Sequence, residues 1–108
     1  MPNKSTSINE SLLVFFRDVA KKDSGVLAKI EKFTNFEVNV KQWSFSLIDL
    51  YSFLQDYNSE FQNIDFNNFR KTLYNSPINH EVKKFGAEVL VKANEGHVDR
   101  STYVLIWH

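Results

Sequence analysis

The chain contains no cysteine. A disulfide framework, a thiolate zinc site and a cysteine nucleophile are therefore excluded. Glycine occurs three times in 108 residues, too rarely for a glycine-rich phosphate cradle. No P-loop, dinucleotide fingerprint or Gly-x-Ser-x-Gly elbow is present. No apolar run approaches the ~18–20 residues that span a membrane. The longest, 12–16 and 103–107, suit a helix interior and a strand. The polar stretch 1–7 lacks the apolar core of a signal peptide. The simplest expectation is a soluble cytoplasmic protein without membrane contact.

Net charge is also missing, because 13 basic residues balance 13 acidic ones. Residues 1–60 hold seven basic and eight acidic residues, and residues 61–108 hold six and five. Neither half shows the basic excess of a dedicated nucleic-acid binder. A neutral surface gives little protection against association, which favours a partner protein or a homodimer.

What the chain does have is aromatic bulk. Aromatics make up 15%, including ten phenylalanines. Each buries a large area, so a short chain can build a real core. The length suits one domain over 1–108, with residues 1–6 expected to be disordered.

Helical spacing places Ile8, Leu12, Phe15 and Val19 on one stripe after a capping box at Ser7-Ile8-Asn9-Glu10. A short helix is expected over 25–33, with Val26, Leu27, Ile30 and Phe33 inward. Residues 36–41 alternate apolar and polar without a break, which predicts a half-buried strand with Phe36, Val38 and Val40 inward. Ser46 then caps a helix carrying Leu47, Leu50, Leu54, Tyr57 and Phe61.

The stretch 65–107 is the most organised. Asp65 is placed to cap a helix with Phe66, Phe69 and Leu73 on one stripe. Ser76 and Pro77 suit the N-cap and first position of a helix over 77–85, and Gly86 its C-terminal stop. Two β-rich runs, 87–93 and 102–107, follow as a hairpin. The second is apolar on nearly every position, as strands covered on both faces are. The expected fold is α+β, about five helices on a three-stranded antiparallel sheet from 36–41, 87–93 and 102–107. Its C-terminal half resembles a winged helix-turn-helix, although the first strand precedes the helix at 46–57.

A second resemblance rests on Phe15-Phe16-Arg17-Asp18-Val19-Ala20-Lys21-Lys22-Asp23, on Leu27 and Ile30, and on Trp43-Ser44-Phe45-Ser46-Leu47-Ile48-Asp49-Leu50. These stretches resemble the Nif11-like leader domain of peptide natural-product precursors, which implies a helical leader role. Gln42 stands where that family carries glycine before its aromatic residue, and the strand-like run 36–41 falls where it is helical.

Signs of catalysis are absent from the pattern. His80, His97 and His108 have no partner at metal-ligand spacing. The carboxylates are interleaved with Lys and Asn, as on ordinary helix surfaces. No cofactor or metal is expected, and the expectation is non-enzymatic.

Two binding classes remain. On the helix 77–85, Asn79, His80, Lys83 and Lys84 would face outward as base or phosphate contacts, with Lys92 and Arg100 on the wing. Glu81, Glu88, Glu95 and Asp99 lie among them and oppose phosphate. A protein-binding module fits the neutral charge and the aromatics better, with Trp43, Tyr103 and Trp107 as candidate anchors. The expected function is thus a small accessory, regulatory or inhibitor protein acting through protein contacts. The alternative is a winged-helix DNA-binding regulator.

Overall fold

A computed structural model describes residues 4–93 and 102–108, and the side chains of residues 8–91 and 102–108. The apolar stripe at 8, 12, 15 and 19 winds onto one face of α1 (Lys4–Ala20). Ile8, Leu12, Phe15, Phe16, Val19 and Ala20 are all buried. The helix starts three residues before the expected cap at Ser7. Of the segment expected to be disordered, residues 4–6 are helical and residues 1–3 lie outside the described residues.

α1 ends in a tight reversal. The Lys22 N–H donates to the Val19 carbonyl (3.0 Å) and the Asp23 N–H to the Asp18 carbonyl (3.0 Å). That pairing needs a left-handed residue at the turn, normally glycine. Here Lys22 adopts it, with φ 59°. Asp23 then caps α2 (Ser24–Lys32), its carboxylate accepting from the Val26 N–H at 3.0 Å.

The expected strand over 36–41 is divided. Asn39 Oδ1 accepts from the Lys41 N–H (2.8 Å) and the Gln42 N–H (3.0 Å), which reverses the chain. β1 is therefore only Glu37–Val38, and Gln42–Ser46 forms β2. Phe36 is buried and Val38 half-buried as expected, but Val40 sits at the turn and is 81% exposed. An asparagine in an alternating run reads as a polar strand position. Its ability to bond the backbone two and three residues on is what wins here.

Ser46 caps α3 (Leu47–Tyr57) as expected. Its hydroxyl accepts from the Asp49 N–H (3.2 Å) and donates to the Asp49 carboxylate (2.9 Å). A 3-10 turn, Ser59–Asn63, brings Phe61 into the core. Asp65 caps α4 (Phe66–Asn75) through the Asn68 N–H at 2.8 Å.

The next junction departs from expectation. The N-cap of α5 (Ile78–Lys83) is Pro77, with no side-chain cap. Ser76 closes α4 instead, its N–H reaching the Leu73 carbonyl. Its hydroxyl turns back to the Thr72 carbonyl (2.7 Å) and the Asn9 side chain. α5 is also shorter than the expected 77–85, so Phe85 lies beyond it, 40% exposed.

β3 (Ala87–Ala93) and β4 (Thr102–Trp107) complete an antiparallel sheet of four strands, not three, in the order β1-β2-β4-β3. Cross-strand partners share a face. Trp43 pairs with Leu105, Phe45 with Tyr103 and Val89 with Leu105, which puts these residues on the face toward α1. The opposite face carries Ser44, Val104, Ile106 and Leu90. Val104 is buried, Ile106 half-buried and Leu90 exposed, so the second face of β4 is only partly covered. Among the described residues, five α-helices pack with this sheet, and no helix is long and apolar enough to cross a membrane.

Trp43 occupies the centre. It is fully buried, with its ring centroid 4.3 Å from Phe45, 5.2 Å from Phe36, 6.0 Å from Phe15 and 6.1 Å from Phe16. Among the described residues its Nε1 finds no hydrogen-bond acceptor. Trp43→Ala should lower stability by about 3–5 kcal/mol, a large part of the total for such a domain. Trp43→Phe should cost far less, because it also deletes the unpaired donor. Chemical denaturation of both variants checks this, and equal losses would contradict it.

Gly86 stops the α5 turn in the left-handed region, with φ 79°, as the sequence predicts. An added Cβ would meet nothing nearer than the His108 carbonyl at 4.0 Å. Gly86→Ala should therefore lose about 1–2 kcal/mol from backbone conformation alone. An unchanged denaturation midpoint would refute that origin.

Candidate functional site

The α4–α5 elbow stands over the end of the sheet where Phe45, Tyr103 and Val91 line up. Between them lies a groove of about 350 Å³. Leu73, Tyr74, Pro77, Ile78 and His80 form its helical wall, and Phe45, Val89, Val91 and Tyr103 its sheet wall. Among the described residues, no Lys, Arg, Asp or Glu lines it. Small, mostly apolar clefts with a few polar groups are the usual form of binding pockets. The rim is apolar as well: Tyr74 is 54% and Val91 58% exposed, while Leu90, 42% exposed, turns its side chain to the other face of β3.

Polar groups in the groove are Ser76, Asn79, His80 and a pair of phenols. The Tyr74 and Tyr103 hydroxyls share a hydrogen bond of 2.8 Å. The Tyr103 ring stacks on Phe45, with centroids 6.0 Å apart. Desolvation, then the hydrogen bond and charge interaction with Tyr74, push the Tyr103 phenol up to about 12.

Asn79 meets the sheet at its edge. Its side-chain nitrogen donates to the Val89 carbonyl (3.0 Å) and its oxygen accepts from the Val89 N–H (2.7 Å). The side-chain amide therefore takes the place that a neighbouring strand would hold. β3 is an outer strand, and such edges invite pairing with other chains unless blocked.

The residues expected to read nucleic acid are largely engaged. Asn79 is bound to β3. Lys84 pairs with Glu81 at 3.4 Å, and Lys83 lies 4.0 Å from Glu88. Glu81 also holds Arg17 of α1 at 3.2 Å. Desolvation pushes the Glu81 carboxyl up, but Lys84 and Arg17 pull it further down, below its ordinary value. His80 is exposed on the groove wall. Arg100 lies outside the described residues, as does the side chain of Lys92.

The three aromatic candidates separate. Trp43 is in the core, where it cannot touch a partner without opening the domain. Trp107 is half-buried and clamps the end of α1. Its indole N–H donates to the Val19 carbonyl (2.9 Å), and the Lys22 ammonium sits 5.2 Å above its ring. Only Tyr103 faces the groove. Tyr74 and Val91 carry no signal in the sequence that marks them as site residues. Val91 shares the inward face of its strand, but it lies past the point where Asn79 ties α5 to β3.

A second, more open cleft lies among Lys21, Lys22, Phe85, Trp107 and His108. Lys21 and Lys22 follow the C-terminus of α1, where cations complement the helix dipole. Each sits over a ring of this cleft, Phe85 and Trp107 respectively. That accounts for them structurally. Among the described residues, no group of three His, Asp or Glu side chains is placed to hold a metal.

No protein-family model matches the chain, and no curated protein or solved structure matches it either.

The phenol pair gives a pH prediction. Tyr103 titrates from 10.0 in the unfolded chain to about 12 in the fold. The folded state thus holds this proton more tightly. The resulting stability is fully present below pH 10 and is lost as pH rises through about 12. Burial also raises the Tyr57 phenol, so tyrosinate absorbance should be compared between the wild type and Tyr103→Phe: the variant should lose one phenol from the latest part of the titration. A latest step of unchanged amplitude in the variant would assign it elsewhere.

Proposed function

We propose that this protein is a non-enzymatic binding module, a small accessory, regulatory or inhibitor protein that acts through protein contacts at the groove. The observation that carries this reading is the groove, lined by no Lys, Arg, Asp or Glu among the described residues and rimmed by exposed Tyr74 and Val91. Apolar side chains gathered on a surface mark contact sites, whereas scattered ones do not. Tyrosine is also prominent among the residues that dominate interface energies.

The alternative, a winged-helix DNA-binding regulator, draws on the element order α4, α5, β3, β4. The pairing of Lys83 and Lys84 with Glu88 and Glu81 weighs against it, since phosphate would have to displace those carboxylates.

Position-specific crosslinking separates the two. A photoreactive residue at Val91 should yield a discrete protein adduct in the native host. One at Val40, exposed at the β1–β2 turn, should yield none. Tyr74→Glu should reduce the Val91 adduct. A nuclease-sensitive adduct, with salt-dependent binding to duplex DNA that Lys83→Glu and Lys84→Glu abolish, would put the regulator reading first.

A further inference from the structure

The groove adjoins free backbone. In an antiparallel ladder, alternate residues turn their N–H and C=O away from the partner strand. Gly86 bonds toward β4, its carbonyl accepting from the His108 N–H at 2.8 Å. Asn79 meets Val89 from the other side. Val89 and, two residues on, Val91 therefore turn their backbone groups outward. The ladder keeps its register to Val91, which stands opposite Tyr103, and shifts only after it. Asn79 occupies the outward pair at Val89. The pair at Val91 has no such partner among the described residues.

Resting on the reading of this groove as a protein-contact site, we propose that its occupant is an extended, uncharged segment of a partner protein. The segment adds to the β3 edge at Val91. One of its residues exchanges two backbone hydrogen bonds with Val91, and its side chain falls on the Val91 face of the sheet, over the groove.

Three features select this occupant. The donor and acceptor at Val91, without a partner among the described residues, are spaced for a peptide backbone, as the Asn79 amide shows one step away by satisfying the equivalent pair. Among the described residues the lining carries no Lys, Arg, Asp or Glu, so a charged side chain would lose its hydration there without a counterion. The Tyr74–Tyr103 hydroxyls at the wall can turn to a carbonyl or hydroxyl of the segment. Strand addition of this kind takes affinity from backbone bonds and specificity from the pocket beside the edge. α5 bounds the site, because Asn79 leaves an incoming strand no pair at Val89.

The test uses a displayed library of short random peptides selected on the whole protein. Enriched peptides should be uncharged, with alternating β-branched or aromatic residues. N-methylation of one backbone nitrogen in such a peptide should weaken binding by about tenfold or more, as expected for a lost backbone bond. Val91→Pro should do the same from the protein side, and Tyr74→Ala should weaken binding through the groove. Val91→Pro removes an outward N–H on an outer strand, where proline is tolerated. The N-methyl series gives the answer even if that variant is unstable. Peptides that need Tyr74 but ignore both N-methylation and Val91→Pro would overturn strand addition and leave the groove reading standing. No enrichment, or binding that ignores Tyr74 and Val91 alike, would overturn both.

Discussion

The structure depends on burying Trp43. It lies on an inner strand, under α1, with Phe15, Phe16, Phe36 and Phe45 around its ring. Through those contacts one side chain joins the first helix, the approach to β1 and the inner sheet. The large apolar area outweighs an indole N–H that finds no acceptor among the described residues. A donor that is buried and unpaired is costly, so the site tolerates it only because so much ring surface leaves water.

The rest of the fold is tied to that centre by polar contacts at element ends. Trp107 donates to the Val19 carbonyl at the end of α1, where helix carbonyls lack internal partners. Lys22 accepts a left-handed backbone there, and its side chain lies over the Trp107 ring and reaches the Val40 carbonyl at 3.3 Å. Arg17 and Glu81 join α1 to α5, and Asn79 joins α5 to β3. These contacts use up much of the polar face of α5. The face that looks free in the sequence is therefore largely committed inside the molecule, and the uncommitted surface lies next to it.

The helices were legible because their signals are local. Apolar spacing over 8–20 and 47–57 marks the buried stripes, and Ser46 and Asp65 cap within three residues of themselves. Gly86 is another local signal, since only a glycine adopts its φ freely. The failures have local causes as well. Asn39 bonds its own chain and turns a strand into a hairpin, and Ser76 finds Asn9 and Thr72 in place of the α5 backbone.

By itself the sequence determined the class of the fold: which residues prefer helix, which prefer strand, that the core is aromatic, and that thiol chemistry is excluded. Only the tertiary structure decided the site. Tyr74 and Tyr103 are far apart in the chain, and nothing in their spacing announces a shared hydrogen bond. Asn79 has the composition of a surface residue, and it becomes an edge guard only because α5 packs beside β3. Val91 belongs to the inward face of its strand by alternation, yet it stays exposed because it lies beyond that helix. Periodicity reports which side of an element is apolar. Whether that side is covered depends on where its neighbours stop, and that is settled by packing between segments distant in sequence.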